Sequence, residues 1–420
     1  MCHGCDATYK RRPLERGEKA RCLRCGSLLG HGPAYSVSTW LALVVTTTVV
    51  FIFANAFPVA VISLGGLESE ATIWQSVLAL SEGPGAPVAV AAALITIGIP
   101  ALQLVTLLWV LAYAVRGRSC PGFVEAMRIL KVSKPWGMIE VCLLAILVAL
   151  VKLSGFVHVV AGVGVAATIV LAPLMAVVTN RSEADLWSLY RKSGGSANPL
   201  WPPGPAVASE PADAPRGPAD AHLMACHLCE LVCDGRDRAG DVAIQCSRCG
   251  AHVRPRKPEA WSRSCAFLLA ALVLYIPANT LPVMYTRLLG SAASSTILGG
   301  VIEFWRSGSW DIALLIFTAS VAVPCTKFVA LGVLLFDSRH RIGSRPGKTR
   351  LLRFVESIGY WSMLDVLVVA LVTALIQFKA VGTAEPRLGI VFFGAVVVLT
   401  MLAALSFDGR LAWDEGSRHD

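Results

Sequence analysis

Eight of the thirteen cysteines fall in two blocks of the same spacing. The first runs Cys2-His3-Gly4-Cys5, sixteen residues, then Cys22-Leu23-Arg24-Cys25-Gly26. The second runs Cys226-His227-Leu228-Cys229, sixteen residues, then Cys246-Ser247-Arg248-Cys249-Gly250, at an offset of 224 residues (226 − 2). A Cys-x-x-Cys turn lets two thiolates reach one ion, and two such knuckles complete a closed tetrahedral four-thiolate site, the usual structural zinc arrangement. Gly26 and Gly250 stand where the turn after the second knuckle favours a positive φ.

Other uses of these cysteines fit less well. A disulfide within Cys-x-x-Cys is strained and suits redox chemistry better than stapling, and no βαβ pattern accompanies it as in a thioredoxin-like site. Iron in a rubredoxin-type site remains open, since spacing alone does not choose the metal. His3 and His227 lie inside the knuckles but are not needed where four thiolates suffice. Cys120, Cys142, Cys233, Cys265 and Cys325 show no pairing, and Cys142 and Cys325 lie in apolar stretches where a thiol behaves as a small hydrophobe. Reduced thiols and zinc both place the modules in the cytosol.

The elements that position these modules are membrane helices. The 420 residues are 55% hydrophobic and only 15% charged, with mean hydropathy +0.63, against about 25% charged in soluble domains. Apolar runs long enough to cross a bilayer recur through both halves. The N-terminus is a charged, cysteine-bearing module and not the apolar region of a signal peptide. In order, the sequence predicts zinc ribbon 1 over 1–36, four transmembrane helices over 37–189 and a Pro/Ala-rich extended linker over 190–222. Zinc ribbon 2 follows over 223–257, four more helices over 258–408 and a polar tail over 409–420. Within these, the first helix is expected at about 40–63, a loop over 64–86 and the second helix at about 87–115.

The duplication extends beyond cysteine. Asn55-Ala-Phe-Pro58 matches Asn279-Thr-Leu-Pro282, and Pro100 matches Pro324, at the same offset of 224; Trp136-Gly-Met138-Ile-Glu140 matches Trp361-Ser-Met363-Leu-Asp365 at 225. The expected fold is therefore an all-α polytopic membrane protein of two tandem parallel repeats, each a four-cysteine ribbon followed by a four-helix bundle, eight spans in all. Of the 37 lysines and arginines, 31 fall in segments on the N-terminal side of such a topology, which places both termini and both ribbons in the cytoplasm. The net charge of +9 is then largely topological, and nucleic-acid binding is excluded because the basic residues follow membrane edges.

Within the spans, Asn55 with Pro58 and Asn279 with Pro282 mark either a kink or a broken helix lining a pathway. Lys327, Asp365 and Lys379 are the remaining candidates for a substrate path, although Lys327 is placed to snorkel inward, Lys379 to reach headgroups, and Asp365, like Glu140, to sit at a helix N-terminus. Metalloprotease, serine-hydrolase and dinucleotide motifs are missing. Gly343-Ser-Arg-Pro-Gly347-Lys348-Thr349 is one residue short of a phosphate loop and reads as a basic turn. No catalytic residue is assigned.

Two Cys-x-x-Cys-x16-Cys-x-x-Cys modules, each leading into four helices with Asn-x-x-Pro in the first, resemble the paraquat-inducible protein A family, with its lipophilic envelope-spanning tunnel protein A branch. The resemblance covers nearly the whole chain and departs from the pattern in its start almost on Cys2 and in the long linker. It implies an inner-membrane component of lipid transport that works with an MCE-domain periplasmic partner and handles membrane phospholipids. It also implies zinc on Cys2, Cys5, Cys22, Cys25, Cys226, Cys229, Cys246 and Cys249, and a recurrent helix motif at Asn55, Pro58, Asn279 and Pro282. Two other classes stay open on the residues alone: a zinc- or redox-responsive membrane sensor, and an intramembrane enzyme using Lys327 or Asp365.

Overall fold

A computed structural model of the chain describes residues 1–147, 158–192, 223–234, 244–340 and 382–410, apart from single positions and short runs within those ranges, together with positions 347 and 351. The chain is mostly helical. The first ribbon holds the hairpin β1 (Lys19–Arg21) and β2 (Leu28–His31). Helix α1 (Val37–Ala56) is capped by Ser36, whose hydroxyl accepts from the Thr39 amide. It buries Trp40, Val44, Thr47, Phe51 and Ala54, spaced by three and four, and leaves Val45, Val49, Ile52 and Phe53 outside. An apolar outer surface of that extent is what a membrane-facing helix presents.

Proline closes α1. Phe57 is already extended and Pro58 follows it, so the chain leaves the helix for β3 (Ala60–Leu64), which pairs antiparallel with β4 (Leu67–Ala71). Next come α2 (Ile73–Ser81), α3 (Ala86–Ala93) and α4 (Ile99–Val115). A π turn at Leu94–Gly98 joins α3 to α4, with the Ile99 amide bonded to the Leu94 carbonyl. This wider turn lets Pro100 follow without the clash it would impose on an unbroken α-helix. Amphipathic α5 (Phe123–Ser133) leads to strand β5 (His158–Ala161), which adds to the free edge of β3, and then to α6 (Val163–Thr179) and α7 (Glu183–Lys192).

The second ribbon is built on β6 (Leu223–Ala225) with β7 (Val232–Asp234), and β8 (Ile244–Gln245) with β9 (His252–Val253). The order of the first half then recurs. Helix α8 (Ala260–Thr280), strands β10 (Met284–Leu288) and β11 (Ser291–Ser295), and helices α9 (Ile297–Arg306) and α10 (Trp310–Phe317) follow. A π turn at Thr318–Ala322, α11 (Val323–His340), β12 (Gly382–Pro386) and α12 (Leu388–Ser406) complete it. The β3–β4 and β10–β11 hairpins and the two π turns lie 224 residues apart. Helix α1 packs on α4 and α6, and α8 on α12 and α11.

Among the described residues, five helical stretches are long and apolar enough to cross a membrane: 37–56, 89–115, 260–280, 320–338 and 388–406; α6 is a shorter apolar helix. The expected third helix of each half falls largely or wholly outside the described residues. The all-α expectation is corrected. Each half carries a three-stranded sheet, ordered β4-β3-β5 and β11-β10-β12, at the end of its helices away from the ribbons. The segment 64–86, expected as a loop, includes a strand and a helix, because short runs such as Leu-Glu-Ser-Glu-Ala pair by backbone bonds that composition does not advertise.

Candidate metal centres

Each ribbon gathers its four cysteines. Within each group the ligand atoms lie within 4.8 Å of one another. Sulfurs of Cys2 and Cys25, Cys5 and Cys22, Cys226 and Cys249, and Cys229 and Cys246 are each 3.5 Å apart. A tetrahedral ion with bonds of ~2.3 Å to sulfur sets such edges at ~3.8 Å, so both groups fit a four-coordinate metal.

One backbone device builds all four knuckles. The amide of the leading cysteine donates to the carbonyl five residues on, at 2.8–2.9 Å, and its own carbonyl accepts from the amide four residues on, at 2.8–3.0 Å. That last residue has positive φ in every knuckle: Asp6 56°, Gly26 72°, Glu230 58° and Gly250 68°. Gly26 and Gly250 stand as the sequence predicts, whereas Asp6 and Glu230 hold the same left-handed turn with a side chain attached, at a conformational cost that the knuckle must offset.

Donors around the sulfurs differ between the sites. The Tyr9 hydroxyl lies 3.3 Å from Cys22 Sγ, and Ser27 Oγ is 3.0 Å from Cys2 Sγ and 2.7 Å from Cys25 Sγ. Burial pushes the Cys22 thiol up, but hydrogen bonds from Tyr9 and from the amides of Cys25 and Arg24 outweigh it and bring the thiol down to about 6. In the second site, hydrogen bonds from the neighbouring thiol of Cys229 bring Cys226 down to about 7. Cys5, chiefly through burial, and Cys229, through its thiol neighbours, are raised. Without a metal each site thus shares out protons among crowded sulfurs; a divalent cation replaces them. Position 233 is the counterpart of 9, and there a thiol, Cys233, takes the place of the phenol and hydrogen-bonds Cys246. Tyr9 and Ser27 were not legible as part of the site, although the offset of 224 aligns Tyr9 with Cys233, the same kind of donor.

His227 is outside the second metal group; its backbone carbonyl accepts from Lys131 Nζ. His3 lies outside the described residues.

The Asn-x-x-Pro pairs are a helix stop and not a kink. Asn55 Nδ2 donates to the Phe51 carbonyl at 2.8 Å, and Asn279 Nδ2 to the Tyr275 carbonyl at 2.9 Å. The Oδ1 of each is buried without a hydrogen-bond partner among the described residues. The Pro58 carbonyl accepts from the Gly164 amide at 2.9 Å, and the Pro282 carbonyl from the Gly389 amide at 3.2 Å. The end of each first helix is thereby fastened to the start of α6 or α12, a contact the sequence reading missed. Lys327, expected to snorkel inward, is 2% exposed on the packed face of α11. Its counterpart Gln103 is also buried, against Gly137, where an added Cβ would lie 2.8 Å from Nε2. Asp365 and Lys379 lie outside the described residues.

The family model described as Paraquat-inducible protein A matches twice, over residues 37–191 and 261–416. The chain is 31% identical to "Intermembrane transport protein PqiA" of Escherichia coli (strain K12) over 424 residues, which covers 99% of this chain and 95% of that protein. It is 29% identical to "Lipophilic envelope-spanning tunnel protein A" of the same strain, covering 98% and 90%. With the "Probable intermembrane transport protein" of Haemophilus influenzae it shares 26%, covering 98% and 95%. No solved structure matches the chain significantly. With spans able to cross a membrane, a four-cysteine group in each ribbon, and a family match over both halves, the chain belongs to the paraquat-inducible protein A family.

Proposed function

We propose that this protein is a non-enzymatic, inner-membrane component of an intermembrane lipid transport system. It passes phospholipid or other lipophilic molecules between the bilayer and a periplasmic MCE-domain partner. The observation that carries this reading is similarity along 99% of the chain to a protein named for intermembrane transport. We take the chain as two tandem parallel repeats of four spans, eight in all, with both termini, the linker and both ribbons in the cytoplasm. The recurrence of hairpins and π turns 224 residues apart supports the duplication, and the distribution of Lys and Arg supports the orientation. The two ribbons hold zinc, a choice favoured by four-thiolate tetrahedral sites over other divalent ions.

The path for lipid involves Asn55, Pro58, Asn279, Pro282, Lys327, Asp365 and Lys379. Its support is the buried, unsatisfied Oδ1 of Asn55 and of Asn279 at the same place in each half, since such an atom in an apolar setting invites a polar ligand group. Mass spectrometry of co-purifying lipid, with photo-crosslinkers placed singly at positions 279 and 327 and, as outward-facing controls, at 269 and 276, tests it. Phospholipid adducts at both sites are expected. Adducts confined to outward-facing positions such as Leu269 and Ile276 refute the path.

A further inference from the structure

Each ribbon is fastened to the half of the chain that it does not lead into. The second ribbon precedes α8, yet Met224, Cys226, Leu228 and Cys249 share one buried cluster with Phe123, Met127 and Trp187 of the first half. Lys131 of α5 donates to the His227 carbonyl and pairs with Glu183 at 3.0 Å, and the Arg248 guanidinium lies 6.0 Å from the Trp187 ring centroid. The first ribbon has its own small core of Cys2, Cys5, Ala7 and Cys22. Its Asp6 reaches across to the other half of the chain, pairing at 2.6 Å with Arg256, where the second ribbon runs into α8, and at 3.5 Å with Arg410, just past the end of α12. Arg410 also pairs with Asp408 at 3.0 Å, and Asp408 accepts from the Lys257 amide at 3.2 Å. Removing the 224-residue offset from position 410 gives Leu186, inside α7, the helix that the second ribbon covers. Both ribbons therefore use the equivalent element of the opposite half.

We propose that the ribbons are exchanged between the halves, and that the metal-organised first ribbon is a clasp on the ribbon-side ends of α8 and α12. The clasp depends on metal because of where Asp6 stands. It follows Cys5 directly, holds φ 56°, and is kept there by its amide bond to the Cys2 carbonyl at 3.0 Å. A module of this size keeps such a turn only while the ion ties the two knuckles together. Loss of metal from the first site then frees Asp6, removes the carboxylate between Arg256 and Arg410, and loosens the second half while leaving the first in place. Metal loss from the second site acts on α5 and α7. The exchange makes each half a reporter of the other's ribbon, whatever the protein carries.

Hydrogen exchange on the full-length protein in detergent, with bound metal counted by native mass spectrometry, tests this. Cys22→Ser is expected to speed exchange about tenfold or more in 256–264 and 403–410 and to leave 123–133 and 183–191 unchanged, and Cys246→Ser to do the reverse. Because either variant can unfold its ribbon wholesale, a second pair isolates the contact. Asp6→Arg loosens 256–264 and 403–410 with both metals retained, and Asp6→Arg with Arg256→Asp restores protection. The proposal is overturned if Cys22→Ser loosens only 37–47 of its own half, or if Asp6→Arg leaves the second half unchanged.

Discussion

Substituting Gly389 or Gly164 by alanine should destabilise the protein far more than a methyl group ordinarily does within a helix. A Cβ on Gly389 would sit 2.7 Å from the Pro282 carbonyl oxygen and 2.8 Å from that of Leu281; on Gly164 it would sit 2.7 Å from the Phe57 oxygen and 2.8 Å from that of Pro58. These are backbone atoms at a helix end whose next residue is proline, so they have little room to yield. The overpacking costs about 1–3 kcal/mol, and displacement of the start of α6 or α12 weakens the amide bond to Pro58 or Pro282, about 1 kcal/mol more. Together these give about 2–4 kcal/mol, or a fall in Tm of about 5–15 °C for a cooperative unit of the size of one half. Gly300 and Gly332 supply the control, since both lie in helices and a Cβ there meets nothing within 4 Å. Alanine at those positions should stabilise by about 0.5–1 kcal/mol through propensity alone. Thermal unfolding in detergent, followed by tryptophan fluorescence, separates the signs. If Gly389→Ala and Gly164→Ala melt with the parent chain, the fastening of Asn-x-x-Pro to α6 and α12 is not a structural contact of consequence.

Tyr9→Phe removes the phenol beside Cys22 Sγ and should weaken metal binding at the first site about 10–100-fold, leaving the second unchanged. With that donor gone the Cys22 thiol titrates above about 6, protons compete better with the ion, and metal release from the first site moves to higher pH; chelator competition at several pH values measures both effects. Asp408 is buried, which raises its carboxyl, but Arg410 and the Lys257 amide more than compensate and hold it below the ordinary 3.8. A depressed carboxylate stabilises above its unfolded value and loses that contribution as pH falls through the folded one, so Asp408→Asn should cost about 1–3 kcal/mol near neutrality and flatten the stability curve below about pH 4.

The two metal groups were legible because thiolate geometry is encoded in spacing: a Cys-x-x-Cys turn closes on itself whatever surrounds it, and two of them need only a short hairpin to meet. Gly26 and Gly250 carried the same local information. What spacing does not encode is where the finished ribbon docks, which depends on Asp6 meeting Arg256 and Arg410 at separations of 250 and 404 residues. A repeat offset predicts equivalent neighbours and leaves open which half supplies them, and a linker long enough to reach either half permits both answers. The Asn-x-x-Pro element shows the same limit. Proline was readable as an interruption, yet a kink and a stop differ only in the next few residues, and Val59-Ala60-Val61-Ile62 is as apolar as a helix. A stop was preferred because β5 offers an edge to β3 and because Gly162 and Gly164 present amides to the Val59 and Pro58 carbonyls at 3.0 and 2.9 Å. Those partners lie about a hundred residues on in the sequence. They satisfy carbonyls that an interrupted helix would otherwise leave unpaired in an apolar setting, and tertiary pairing of this kind overrides the local apolar pattern.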